Sequence, residues 1–308
     1  MLNYSFAAVA AVYVGSFAYI YSRYRDRLPL HKYLSNHVFF LAPVNLLFSG
    51  LTTGQQSAVL EPKSVPGLDT LKANYPLIRR EAKVLLDTGV LQRPPAEDQP
   101  GYNTFEQGGW RLYMLKWYTK ECNQAAVESC PETCALIDSI PSVRSAMFTV
   151  LPPGANLGRH HDPVASSLRY HLGLLTPNSS KCALTLDGIE YPWRDGEELL
   201  FDATYLHSAV NETDVIRVIL FCDVEKTQLR GVIKRFADWV DYRLVSRMTG
   251  TNGGQLSWIS WAYRPIFKLR SYVKIKVKRR NMVAYNIIKF GTLAMLILLP
   301  YLLLTWLF

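Results

Sequence analysis

Residues 160–175 read HHDPVASSLRYHLGLL. In an extended chain, residues i and i+2 point the same way. His160 and Asp162 therefore present an imidazole and a carboxylate to one point, and His161 takes the opposite face. Leu168 to Leu174 reads as a strand, with Arg169 and His171 on one side of it. Upstream, Ala146 to Leu151 is a further strand. Downstream, Lys181 to Leu186 and Ile189 to Trp193 flank Asp187-Gly188, the dipeptide that supplies both positive φ angles of a type I′ hairpin turn. Glu198 to Phe201 follows Asp195-Gly196, and Ile216 to Val224 is the most apolar run of the set. Short strands separated by turn signals predict a sandwich, jelly roll or barrel. Its core is expected at Phe148, Leu172, Leu184, Leu200, Val218, Leu220 and Cys222. Ahead of the strands, Asp69 to Val90 carries helical spacing through Leu71, Ile78 and Leu85. Phe105 to Tyr118 is dense in aromatics. Trp110 and Trp117 there are candidates for a wall that receives an apolar chain, with core packing as the plainer reading.

The chemistry lies in the histidines. Four of the six fall between positions 160 and 207. His160 and Asp162 need a third ligand from a distant strand, and His207 is the natural candidate. Two His and one carboxylate on one face leave coordination positions open, the arrangement of non-haem Fe(II) oxygenases. Arg217 follows ten residues after His207, inside an apolar strand. A buried guanidinium wants an anionic partner, and a carboxylate matches it best. With Arg169 and His171 it outlines a pocket for a small dicarboxylate that chelates the metal. His31 and His37 read as structural.

These residues resemble a known family. His160-His161-Asp162-Pro163, the run Leu168 to Leu174, Trp193 with Gly196, Phe201-Asp202, His207 and Asn211 to Arg217 are similar to the aspartyl/asparaginyl β-hydroxylases. The resemblance implies a double-stranded β-helix (jelly-roll) core and dependence on Fe(II), 2-oxoglutarate and O2. It implies His160 and His207 as iron ligands, with Asp162 completing the triad where some members have Gly. It implies Thr149, Arg169, His171 and Arg217 as 2-oxoglutarate contacts. Gly109-Trp110-Arg111, Leu115 to Tyr118, Ser139 to Val143 and Leu151 to Gly154 resemble the membrane branch, the bacterial lipid A acyl-chain 2-hydroxylases. That branch implies oxygen insertion at C2 of a secondary acyl chain of lipid A or a precursor. Hydroxylation of an ornithine lipid or of peptide Asp/Asn side chains, and a jelly-roll binding module without activity, are the alternatives.

The ends of the chain look different. Tyr4 to Ser22 and Phe290 to Phe308 carry no charge, and each approaches the length that spans about 30 Å of hydrocarbon. The expected fold class is therefore a mainly β jelly-roll core with flanking helices plus N- and C-terminal transmembrane helices. A buried core helix is the other reading of each end. Val38 to Leu51 suits a re-entrant or interfacial segment. The expected organisation is an anchor at 1–22, a membrane-proximal segment at 23–60, the dioxygenase domain at 61–230, a basic juxtamembrane region at 231–289 and an anchor at 290–308.

No Asp or Glu follows Asp241, whereas Lys and Arg recur from Arg243 to Lys289, so the net charge of +9 sits in that tail. The remainder is near neutral, which argues against nucleic acid as a partner. The tail suits anionic membrane lipids. Basic residues after the first hydrophobic run and before the last place the body in the cytoplasm, and the resemblance to the lipid A branch implies the bacterial inner membrane. Five cysteines without a C-x-x-C pair suit free thiols there.

Overall fold

The computed structural model of the chain describes residues 2–34, 37–50, 57–92, 109–243 and 245–247, with positions 277, 280, 281, 284 and 285. Ten strands form two antiparallel sheets. They are β1 (Val59–Leu60), β2 (Arg111–Trp117), β3 (Val143–Leu151), β4 (Asn156–His160), β5 (Ser167–Leu175), β6 (Cys182–Leu186), β7 (Ile189–Pro192), β8 (Glu198–Phe201), β9 (His207–Asn211) and β10 (Arg217–Glu225). The larger sheet has the order β1-β8-β5-β10-β3-β2 and the smaller β4-β9-β6-β7. From β3 to β10 the chain crosses back and forth between the sheets, four strands to each. This is a jelly roll with β1 and β2 added at the two edges of the larger sheet.

Alternation along the long strands explains the layering. On β10, Val218, Leu220, Cys222 and Val224 face one way, and Arg217, Ile219, Phe221 and Asp223 the other. The first set packs with Phe148, Val150, Tyr170 and Leu172 beneath a helical layer. That layer holds α5 (Leu68–Ala73), α6 (Tyr75–Asp87), α7 (Gln124–Ser129) and α8 (Pro131–Asp138). The second set faces the smaller sheet, where Ile219 and Phe221 meet Met147, Phe201, Leu184 and Leu186. All seven expected core residues are buried, but only Leu184 lies between the sheets. The single helix expected over 69–90 is two helices, because Pro76 occupies the first turn of α6 and restrains the residue before it. Asp187 and Gly188 both have positive φ, 49° and 83°, as the hairpin turn requires.

The N-terminal region lies over one end of the sandwich. It comprises α1 (Leu2–Ser22), α2 (Leu30–Tyr33), α3 (His37–Phe40) and α4 (Ala42–Gly50). The expectation of transmembrane helices is corrected here: no helix among the described residues is long and apolar enough to cross a membrane. α1 has the length, at 21 residues. Its composition of Ala, Tyr and Ser falls short of the hydropathy a span needs, and its last turns bury Ser16, Phe17 and Ile20 against the protein. Phe290 to Phe308 lies outside the described residues, as does most of the basic tail. The apolar stretch from position 38 packs Val38, Ala42 and Phe48 inward. The Asn45 side chain ties α4 to the Pro163 carbonyl and the Ala165 N–H.

Candidate metal centre and acid pocket

β4 and β9 are neighbours in the smaller sheet, and they run antiparallel. The last residue of β4 therefore sits beside the first of β9, and His160 pairs with His207. Their rings stand 4.2 Å apart. Each donates from Nδ1 to a nearby carbonyl: His160 to Gly158 at 2.8 Å and His207 to Tyr205 at 2.9 Å. This fixes the tautomer that leaves Nε2 as the electron-pair donor. Both Nε2 atoms point at Asp162, at 3.8 and 3.9 Å from its Oδ1. One ligand atom from each of the three lies within 4.8 Å of the others, close enough to share one ion.

The protonation states suit ligation. Burial, then the nearby His160, pushes the His207 imidazole down to about 3. Burial alone would raise the Asp162 carboxyl. The Arg169 guanidinium and the two imidazoles overcome that and hold it well below the usual carboxylate range. At neutral pH the site offers a neutral imidazole at His207 and an ionised carboxylate.

Arg169 is itself held. It pairs closely with Asp162 and reaches Asp223 Oδ1 from Nη2 at 2.9 Å. Asp223 also accepts from Ser145 Oγ at 3.0 Å and Tyr118 OH at 3.4 Å. The Arg169 plane lies 4.2 Å from the centre of the Phe221 ring. Arg169 thus steadies the carboxylate ligand from behind. Asp223 and Ser145 were not singled out from sequence, and Tyr118 was read only as part of an aromatic stretch and of the motif at Leu115 to Tyr118. The available signal was the alternation of β10, which puts Asp223 on the same face as Arg217.

Beyond the metal ligands the inner face of the larger sheet forms a second group. The His171 ring lies within 5.2 Å of the Trp193, Phe201 and Phe221 rings. Arg217 also lies over Trp193, 5.2 Å from its ring centre. Arg217 Nη2 donates to Thr149 Oγ1 at 3.3 Å. Four buried nitrogens here lack a partner among the described residues: both ring nitrogens of His171, Arg217 Nε and Trp193 Nε1. Burial, then Arg169 and Arg217, pushes His171 well below its ordinary value. Burial pushes Arg217 down to about 10, so it stays charged at neutral pH. A buried guanidinium and a neutral imidazole with unused hydrogen-bonding capacity fit an incoming carboxylate. Trp193, which joins the two, is brought in by a close turn. Gly173 receives Gly196 N–H at 2.9 Å, and a Cβ on Gly173 would stand 2.0 Å from the Arg194 carbonyl oxygen. Asn211 organises the entry to β10, donating to the Leu151 and Val215 carbonyls.

The profile of the aspartyl/asparaginyl beta-hydroxylases matches residues 72–227, which include every residue of this site. The chain belongs to that family. An ornithine lipid ester-linked acyl 2-hydroxylase of Rhizobium tropici is 33% identical over 185 residues, covering 59% of this chain and 64% of the relative. The human aspartyl/asparaginyl beta-hydroxylase is 27% identical over 165 residues, covering 52% of this chain and 21% of its own length. The chain thus spans less than two thirds of these relatives. Among solved structures, a cupin domain of an XRE family transcriptional regulator from Enterobacter cloacae covers 37% of this chain and 95% of that one. Its TM-score is 0.26 at 10% identity.

The remaining sequence candidates fall elsewhere. His161 is buried and turned away from the metal ligands: Nδ1 donates to Thr204 O at 2.8 Å, and Nε2 accepts from Tyr33 OH at 3.2 Å. Burial pushes it down to about 4. It pins α2 to the 203–205 loop. His37 Nε2 bonds the His161 carbonyl at 2.9 Å. Trp110 and Trp117 are buried between the sheets, one at each end of β2. The five cysteines are free and buried.

Proposed function

We propose that this chain is an Fe(II)- and 2-oxoglutarate-dependent dioxygenase that hydroxylates C2 of a fatty acyl chain of a bacterial membrane lipid. The secondary acyl chain of lipid A is the substrate the sequence motifs favour. Ornithine lipid is the second reading, favoured by the similarity to the ornithine lipid hydroxylase of Rhizobium tropici. The observation that carries the proposal is the pairing of two adjoining groups. One is a His-Asp-His set that could grip one ion. The other is His171 and Arg217, with three unused buried nitrogens, beside it.

His160, Asp162 and His207 would hold ferrous iron, and Arg217, Thr149 and His171 would receive the 2-oxo acid. Bound there, iron with 2-oxoglutarate and O2 supplies the oxidising chemistry that converts an acyl C–H into C–OH. The protein's own contribution is placement. Gly158 and Tyr205 carbonyls orient the imidazoles, Arg169 keeps Asp162 ionised and fixed, and Phe201 and Phe221 exclude water around His171. We place the enzyme at the cytoplasmic face of the inner membrane, where the basic residues beyond Asp241 meet anionic headgroups.

Mass spectrometry of lipid extracts tests the proposal. Cells carrying the gene should show one added oxygen on an acyl chain, and cells lacking it or expressing His207→Ala should not. Oxygen confined to lipid A or to ornithine lipid decides between the two substrates. Lipids identical in all three strains would overturn the reading.

A further inference from the structure

The three candidate metal ligands are placed by different means. His160 closes β4 and His207 opens β9, so strand pairing fixes both backbones. Asp162 stands two residues past β4, in the irregular connection 161–166 that leads to β5. Within the jelly roll its backbone N–H donates to the Ala203 carbonyl at 3.0 Å, and its carboxylate meets Arg169. Pro163 follows and keeps Asp162 out of the helical region. The rest of the connection lies outside the ladders of the two sheets.

That part is held by residues beyond the 72–227 stretch that the family profile matches. Asn45 on α4 is 4% exposed. Its Nδ2 donates to the Pro163 carbonyl at 3.0 Å, and its Oδ1 accepts the Ala165 N–H at 2.9 Å. A carboxamide carries a donor and an acceptor in one plane, so a single side chain grips both a carbonyl and an N–H of the connection. Ahead of Asp162, His37 Nε2 donates to the His161 carbonyl at 2.9 Å, and Tyr33 OH donates to the His161 ring at 3.2 Å. Further on, Ser166 Oγ donates at 2.5 Å to Asp241 Oδ1 on α9 (Gly231–Arg243). Ala165 is fully buried in a cluster with Phe48 of α4 and with Ala237 and Val240 of α9. Of these ties, the Asn45 pair begins at the residue next to Asp162. A ligand more than about 0.5 Å from its productive place binds metal loosely, and support from behind sets that place.

We propose that Asn45 is a positioning residue for the metal centre: by fixing the connection after Asp162, it holds the carboxylate where His160 and His207 meet it. The sheets place the two imidazoles, and a helix outside the matched stretch sets the third ligand. The inference rests on the metal reading above and adds to it a residue from outside the jelly roll.

Anaerobic Fe(II) titration of the full-length protein, run as a double-mutant cycle, tests it. Asn45→Leu keeps the shape and loses both hydrogen bonds, and should weaken Fe(II) binding about tenfold. Asp162→Ala should weaken it at least as much. Adding Asn45→Leu to Asp162→Ala should cost nothing more, because Asn45 acts through that carboxylate. Leu85→Ala, in the helical layer behind the larger sheet, is the comparison for plain loss of stability: its urea midpoint should fall while Fe(II) affinity stays at the wild-type value. If Asn45→Leu fails to fold, Asn45→Asp decides. It keeps the acceptor for Ala165, loses the donor for Pro163, and should weaken Fe(II) severalfold. Wild-type affinity in the folded Asn45 variant, or losses that add in the double variant, overturns the inference. Loss in Asp162→Ala with none in the Asn45 variant removes only the role of Asn45. Unchanged affinity in Asp162→Ala, or no Fe(II) binding by the wild type, sinks the metal reading and this inference with it.

Discussion

Arg169 and Arg217 are both arginines on the inner face of one sheet, yet their surroundings give them different work. Arg169 is shared between two carboxylates, one of them a candidate metal ligand. Arg217 meets no carboxylate among the described residues and has a hydroxyl, an indole face and an unused Nε. Arg169→Ala should release Asp162 and lower Fe(II) affinity by about 10- to 100-fold, the range typical of lost ligand support. Anaerobic Fe(II) titration measures this, and an unchanged affinity would deny Arg169 its supporting role. Arg217→Met should leave metal affinity intact and raise the 2-oxoglutarate concentration for half-saturation. A charge-assisted contact is worth about 1.5–3 kcal/mol, or roughly 10- to 150-fold. Thr149→Val, removing a neutral partner, should cost about tenfold or less. Equal effects from the two changes would contradict the ranking of charge over hydroxyl.

Strands were legible in the sequence where an apolar run or a turn signal marks them, and β2, buried but read only as an aromatic-dense stretch, was missed. β3, β5, β8 and β10 read as strands because they are apolar runs bounded by turns, and the Asp187-Gly188 hairpin announced itself. β4 and β9 were not legible. β4 is an edge strand, largely exposed, with the sequence Asn-Leu-Gly-Arg-His. β9 mixes Ser and Asn with small residues. The histidines at their ends were identified from residue type and spacing instead. Thus the chemistry of the metal site was visible while the strands that assemble it were not. Asp223, and the place of Trp193 between His171 and Arg217, were hidden for a related reason: their importance lies in cross-strand register, which a single sequence does not display. Gly173 shows what the turn around Trp193 demands. A Cβ there would overlap the Arg194 carbonyl oxygen and push Trp193 away from His171 and Arg217. Gly173→Ala should destabilise the fold by on the order of 3 kcal/mol in urea unfolding. Stability within about 0.5 kcal/mol of wild type would show that the turn yields freely.

At the scale of the molecule, the N-terminal region is joined to the jelly roll by aromatic contacts and by one buried charge cluster. Tyr24 and Tyr33 both pack on His161. Asp202, at the end of β8, meets Lys226 just past β10 and Arg23 just past α1. Three distant parts of the chain thus share one carboxylate. Burial by itself would raise the Asp202 pKa, but Lys226 and Arg23 together hold it below the ordinary value. The sign of the pH effect follows. Between the depressed folded value and an unfolded value of about 3.9, the unfolded chain binds the extra proton. The stabilisation is complete above the unfolded value and disappears as pH falls through the folded one. Lys226→Met breaks a buried pair and should cost about 3–5 kcal/mol at pH 7. Asp202→Asn should also destabilise at pH 7, and its deficit against wild type should narrow as pH drops below about 4, where the unfolded wild-type chain begins to take up a proton that the folded carboxylate still refuses. Urea unfolding of wild type and Asp202→Asn at pH 7, 5 and 3.5 measures that gap. A gap of constant size across the series would mean that the carboxylate's charge is not what joins the three segments, leaving packing around Tyr24 and Tyr33 to hold the N-terminal region in place.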